Sequence, residues 1–236
     1  MQYRVFAYAK LRLSLTFAGR GKAGKQERAR ACAPMQARYN PKYMILSALR
    51  EHTRPQHERL EARLDILERT RALGPYRTLL ERMYGFYAPV EAALAPLLRE
   101  GAGWTYREKA PLLARDLAAL GVGDVAALPL CEATPTLETP AQALGCLYVL
   151  EGATLGGQII SRHLRDAHGL DADRGAAFFH GYGPETGRMW KATGALLRER
   201  AECGDCDQAF VLAAARETFE RYEAWVCHAE KDGTGP

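Results

Sequence analysis

The chain has 236 residues, 47% apolar and 25% charged, which is enough to bury a core in one or two domains. Its net charge of +4 is unevenly placed: residues 1–43 hold ten Lys/Arg and one acid, and the remainder holds 22 Lys/Arg against 27 acids. The body is thus mildly acidic, unlike a nucleic-acid face; no apolar run of about 18 residues marks a membrane span, and six cysteines are too few for a disulfide scaffold.

Residues 1–43 read as a basic disordered leader. They resemble a transit peptide in being rich in arginine and poor in acids, with Met35 or Met44 the favoured alternative start. Residues 44–230 read as one helical domain and 231–236 as a flexible tail. From Ile45 the character changes. Ser47 can cap a first helix with Leu46, Leu49, Thr53, Leu60 and Leu64 on its apolar and small positions. Pro55 predicts a kink there or a late start near residue 54. Gly74-Pro75 opens a second helix, Tyr76 to Leu98, which Pro89 should bend. A third covers 106–120 and stops at Gly121, and 129–140 is a connection.

Thr139-Pro140-Ala141-Gln142 combines a Thr cap, Pro at the first helical position and Gln three after the cap. The helix it opens should run to His168 and end at Gly169. Another runs from Pro184 to about Ala201, and Asp207 caps the last, with Phe210, Val211, Ala214, Phe219 and Tyr222 inward. No strand alternation occurs, so the fold class is all-α: a single-domain bundle of six or seven helices.

Gly152, Gly156 and Gly157 fall inside the long helix, and Gly152 and Gly156 are four apart and share one face. Each costs a helix interior about 0.5–1 kcal/mol relative to alanine. Either something large and flat approaches the backbone, or the helix bends, or another helix packs closely there. Of the six histidines, His57 has the most informative neighbours: Arg50, Thr53, Leu60 and Glu61 share its face. It suits a ligand or a hydrogen-bonded structural residue. Glu-x-x-His, G-x-S-x-G, HExxH and the P-loop are all absent. Cys203-Gly-Asp-Cys206 has ligand-like spacing without a second half. Free thiols in a reducing cytoplasm are the expectation.

Leu49-Arg50-Glu51-His52-Thr53-Arg54-Pro55-Gln56-His57-Glu58-Arg59-Leu60-Glu61 resembles the proximal helix of the haem oxygenase family. Glu151-Gly152-Ala153-Thr154-Leu155-Gly156-Gly157-Gln158 resembles that family's glycine-rich distal helix. The segments Phe178–Gly183 and Thr186–Trp190 resemble the bacterial branch, including the biliverdin-producing enzymes associated with bacteriophytochromes. The likeness spans about residues 45–228.

The resemblance implies haem, as substrate and cofactor, held between the two helices. His57 would be the iron ligand, Glu61 its hydrogen-bond partner, and Thr53 a neighbour on the same face. Gly152, Gly156 and Gly157 would leave the distal side open. Arg50, Arg188 and Lys191 would meet the propionates. Ring opening with O₂ and external electrons would give biliverdin, CO and ferrous iron. A ferredoxin or reductase would be the donor, and a bacteriophytochrome a possible acceptor. Animal members have an aspartate after the first distal glycine; here it is Ala153. Two other readings are a non-catalytic haem carrier or sensor, and a thiaminase-like bundle with Cys146 as nucleophile.

Overall fold

The computed structural model describes residues 41–98, 105–202 and 207–227. The Cys203/Cys206 pair, the 231–236 tail and all of the expected leader before residue 41 lie outside these residues. The described chain is helical, with no strand among the described residues. In order come α1 (Pro41–Leu64), the short α2 (Ile66–Arg69), α3 (Leu73–Leu94), α4 (Ala110–Ala119), α5 (Pro140–His168), the short α6 (Ala177–His180), α7 (Thr186–Glu202) and α8 (Gln208–Val226). The all-α expectation holds.

Local signals placed most ends correctly. Thr139 and Gln142 form both bonds of the capping box, and Gly169 closes α5 at φ 66°. The Asp207 side chain accepts from Ala209 N at 2.8 Å. Four expectations are corrected. Helix α1 begins at Pro41 and continues through Pro55; Pro55 and Glu51 are exposed, so water can serve the carbonyl that loses its donor. Helix α3 ends at Leu94, and Pro96 falls in a 3₁₀ turn rather than in the helix. Helix α4 begins at Ala110, because Tyr106 and Lys109 turn their polar groups toward Glu91 and Glu151. Phe210 is 55% exposed, since the buried stripe of α8 runs through Val211, Ala214, Ala215, Thr218 and Phe219.

Helix α5 is the shared member of two cores. One gathers Tyr76, Leu79, Phe86 and Val90 of α3 with Leu113, Leu117, Cys146, Leu150 and Leu164. The other joins Ile45 and Leu49 of α1 to Leu144, Leu147, Leu196, Leu197, Val211 and Phe219. By length and composition α5 could cross a membrane, but 61% of its most apolar window is buried inside the bundle, as in a core helix.

Helix α8 lies against α5 at backbone distance. A Cβ on Gly145 would collide with Val211 O and would stand 2.8 Å from Ala215 N and 2.9 Å from the Ala214 methyl. Two are backbone atoms and the third is a methyl fixed to the backbone, so nothing there can rotate away. Alanine in a free helix would gain about 1 kcal/mol over glycine. Gly145→Ala should instead lower the unfolding free energy by about 1–3 kcal/mol, read as the sign of the shift in urea denaturation.

Candidate functional site

The face of α1 that carries His57 is built against α8. The imidazole Nδ1 lies 3.3 Å from Glu61 Oε1, one turn on, and the ring meets Phe219 edge-on at 5.8 Å between centroids. A proton held on Nδ1 toward Glu61 makes Nε2 the lone-pair nitrogen. The side chain is 34% exposed, whereas His52 lies on the exposed side of the same helix. Around it α8 grips α1 through polar contacts: Glu223, only 3% exposed, accepts from Arg59 at 2.7 Å and Arg63 at 2.8 Å, and Gln56 donates to Glu220 at 3.3 Å. Thr53 is buried, its hydroxyl donating to Leu49 O at 2.7 Å, and its side chain is also hydrogen-bonded to Tyr148 of α5. Arg50 is exposed and acts electrostatically on that same phenol.

Helices α1 and α5 touch each other little; both lean on α7 and α8. On the α5 side, Gly152 is half-buried beneath Trp190, whose ring atoms stand 3.7 Å from where a Cβ would be. Tyr148 packs against the same indole, 5.7 Å between rings. Gly156 is buried. Gly157 has another explanation: a Cβ there would stand 2.5 Å from Phe179 O, so its role is close packing of α6. Arg188 and Lys191 are exposed on α7, and Arg188 pairs with Glu185 one turn earlier. The structure therefore groups His57 and Glu61 on α1 against Phe219 of α8, and brings Thr53 and Arg50 to the Tyr148 side of α5, while Gly152 lies under Trp190 of α7.

Behind the glycine stretch lies a buried polar cluster that the sequence did not disclose. Glu151, 1% exposed, pairs with Lys109 and accepts from the Tyr182 hydroxyl at 2.9 Å. Glu91, 4% exposed, accepts from the backbone of Lys109 and Ala110 and from the Tyr106 hydroxyl at 2.5 Å. Asp116 caps α6 from α4, accepting from Ala177 N at 2.7 Å and Phe178 N at 2.8 Å. The only sequence hint was the scarcity of lysine after residue 43, where Lys109 is one of three. Cys146 is fully buried and its thiol is pushed up to about 12 by burial, which leaves no thiolate for a thiaminase-like nucleophile. Among the described residues no three His, Cys, Asp or Glu side chains cluster to hold a metal ion directly.

Comparison with known proteins decides between the remaining readings. A profile of the family described as "Heme oxygenase" matches residues 44–228.

The chain belongs to the haem oxygenase family.

It is also similar to a "Heme oxygenase" of Xanthomonas campestris pv. campestris (strain 8004): 32% identical over 154 residues, covering 62% of this chain and 86% of that one. The protein is thus an enzyme of haem degradation, with haem and O₂ as substrates. The geometry fits such a group. A planar macrocycle needs one axial nitrogen and two helices that stand apart, and here an imidazole 3.3 Å from Glu61 lies on α1, which makes little contact with the helix that carries Gly152 and Gly156. Within this haem oxygenase, α8 is the backing of the histidine face.

Glu223→Ala should lower stability by about 1–3 kcal/mol in urea denaturation. The full penalty of a broken buried ion pair will not appear, because Arg59 and Arg63 are 49% and 51% exposed and keep their water. Asp116 makes a pH prediction. Burial raises its carboxyl from 3.8 to about 6, against the pull of the two backbone donors. A folded value above the unfolded one means that the fold holds the proton more tightly, so its stabilisation is full at low pH. It is lost as pH rises from about 4 through 6. The stability of wild type relative to Asp116→Asn should fall across that window, by on the order of 3 kcal/mol, and be flat above it. Urea titrations of both proteins at several pH values measure the difference.

Proposed function

We propose that this enzyme converts haem to biliverdin, CO and ferrous iron with O₂ and electrons from an external donor, and that His57 is the axial ligand. The observation that carries the reading is the His57–Glu61–Phe219 arrangement, on a helix that leans on α8 and makes little contact with α5. When bound, haem supplies the oxygen activation and is itself the molecule oxidised. The chain supplies placement.

Glu61, with Oε1 3.3 Å from Nδ1, is the group that would take the Nδ1 proton and favour the tautomer in which Nε2 ligates. Phe219 limits ring rotation from the other side. Thr53, tied to Leu49 O and Tyr148, sets the spacing of α1 and α5 next to the ligand. Gly152, beneath Trp190, and Gly156 add no side chain of their own to the distal helix. Arg50 is the first propionate partner. Arg188 and Lys191, both exposed, can swing to the second, since an exposed pair such as Arg188–Glu185 holds its cation weakly. A ferredoxin or reductase of the cytoplasm is the electron donor. A bacteriophytochrome is the consumer of biliverdin, on the strength of the Phe178–Gly183 and Thr186–Trp190 resemblance to the bacterial branch.

His57→Ala should remove the histidine-ligated Soret spectrum and abolish biliverdin formation, and added imidazole should restore part of both. His52→Ala should change neither. The converse result, with His52 essential and His57 silent, would assign the ligand to the wrong residue.

A further inference from the structure

One side chain stands where the proposed haem would meet the glycine stretch. Among the described residues, the only atoms within 4 Å of where a Cβ on Gly152 would be are Cη2 and Cζ3 of Trp190, both at 3.7 Å. An indole from α7 thus lies at van der Waals distance on the backbone that the missing side chain leaves bare. It also packs on Tyr148, one turn earlier in α5, with 5.7 Å between rings and 49° between planes. Thr53 and Arg50 of α1 act on that same phenol, so the indole stands beside the boundary of α1 and α5. The other flank of the stretch offers no way round. There Leu150, Ala153, Thr154 and Gly157, turned well away from Gly152, border a small cavity of about 20 Å³, room for one water.

We infer that Trp190 is a displaceable gate: haem reaches Gly152 only after the indole swings off it, and Gly187 provides the space it swings into. The inference rests on the proposed haem site and concerns how that site is entered. A helical side chain leans toward the N-terminus, over the residues three and four before it. For Trp190 these are Gly187 and Thr186. Gly187 has no side chain, and among the described residues nothing lies within 4 Å of where its Cβ would stand. Rotation between the two χ1 wells common in helices therefore carries the indole from Gly152 toward open surface.

The indole is held lightly. It is half-buried, it has only ring and van der Waals contacts, and among the described residues its N–H has no hydrogen-bond partner. Trp225 shows the contrary arrangement: its N–H donates to Arg82 O at 2.7 Å, and the Arg82 guanidinium covers its ring at 3.9 Å. The helix under Trp190 need not move with it, since buried Leu196 and Leu197 anchor the later turns of α7 in the core.

The test mixes an excess of the apo-protein, as the full chain, with haem and follows growth of the histidine-ligated Soret band by stopped flow. Trp190→Ala removes the gate and should speed association by about three- to tenfold, the range that loss of one aromatic pair allows. Gly187→Leu fills the space the indole needs and should slow association by a comparable factor. In the double variant the slowing should vanish, because the leucine then obstructs nothing. All three should reach the wild-type Soret spectrum, which separates entry from ligation. An unchanged or slower association in Trp190→Ala, or a slowing by Gly187→Leu that persists without Trp190, would overturn the inference. Should Trp190→Ala not fold, Gly187→Leu decides alone: a slowed rate supports the gate and a wild-type rate overturns it. If His57→Ala left the Soret spectrum unchanged, the haem-site reading itself would fail, a distinct outcome.

Discussion

Helix α8 can lie on α5 only because position 145 has no side chain, and the geometry of the site depends on that approach. The contact places the middle of α8 at a fixed depth, so that Phe219 reaches the His57 ring and Glu223, one turn later, reaches Arg59 and Arg63. Helix α1 is thereby positioned by α8 more than by α5. Helices α1 and α5 share few contacts and do not hold each other by close packing. A third helix that braces both, α8, lets apolar burial stabilise the bundle without direct packing of α1 on α5.

Buried acids do the corresponding work on the far side of α5. Glu91, Asp116 and Glu151 bind the backbone or side chains of segments with little regular structure of their own: the strand-less stretch 105–109, the four-residue α6, and the turn around Tyr182. A carboxylate with several donors can fix an irregular segment where no helix ladder exists. The same acids place the wall of the small cavity beside Ala153 and Gly157. Stability and site construction are one set of interactions here.

The glycines separate by role only in three dimensions. As a sequence, Gly152, Gly156 and Gly157 form one stretch with one apparent purpose. Gly157 meets the Phe179 carbonyl and serves packing, Gly152 lies under Trp190, and at Gly145, which no motif marked, α8 leaves no room for a Cβ on α5. Spacing along a helix tells which glycines share a face, but not what stands opposite.

The sequence by itself determined the helices whose signals are local: the capping box at Thr139, the Asp207 cap, the Gly169 stop and the apolar stripes of α3 and α5. It also determined the two motif helices and the face of His57 with Glu61, because residues four apart on a helix meet whatever surrounds them. Tertiary structure alone decided the rest. Asp116 meets Ala177 across 61 positions, Lys109 meets Glu151 across 42, and Glu223 meets Arg59 across 164. Such pairs carry no periodic trace, and a buried acid reads in sequence like a solvated one. Phe210 shows the converse, an aromatic that belonged inside by composition and lies outside, since the helix turns by 100° per residue and Val211 takes the inward place.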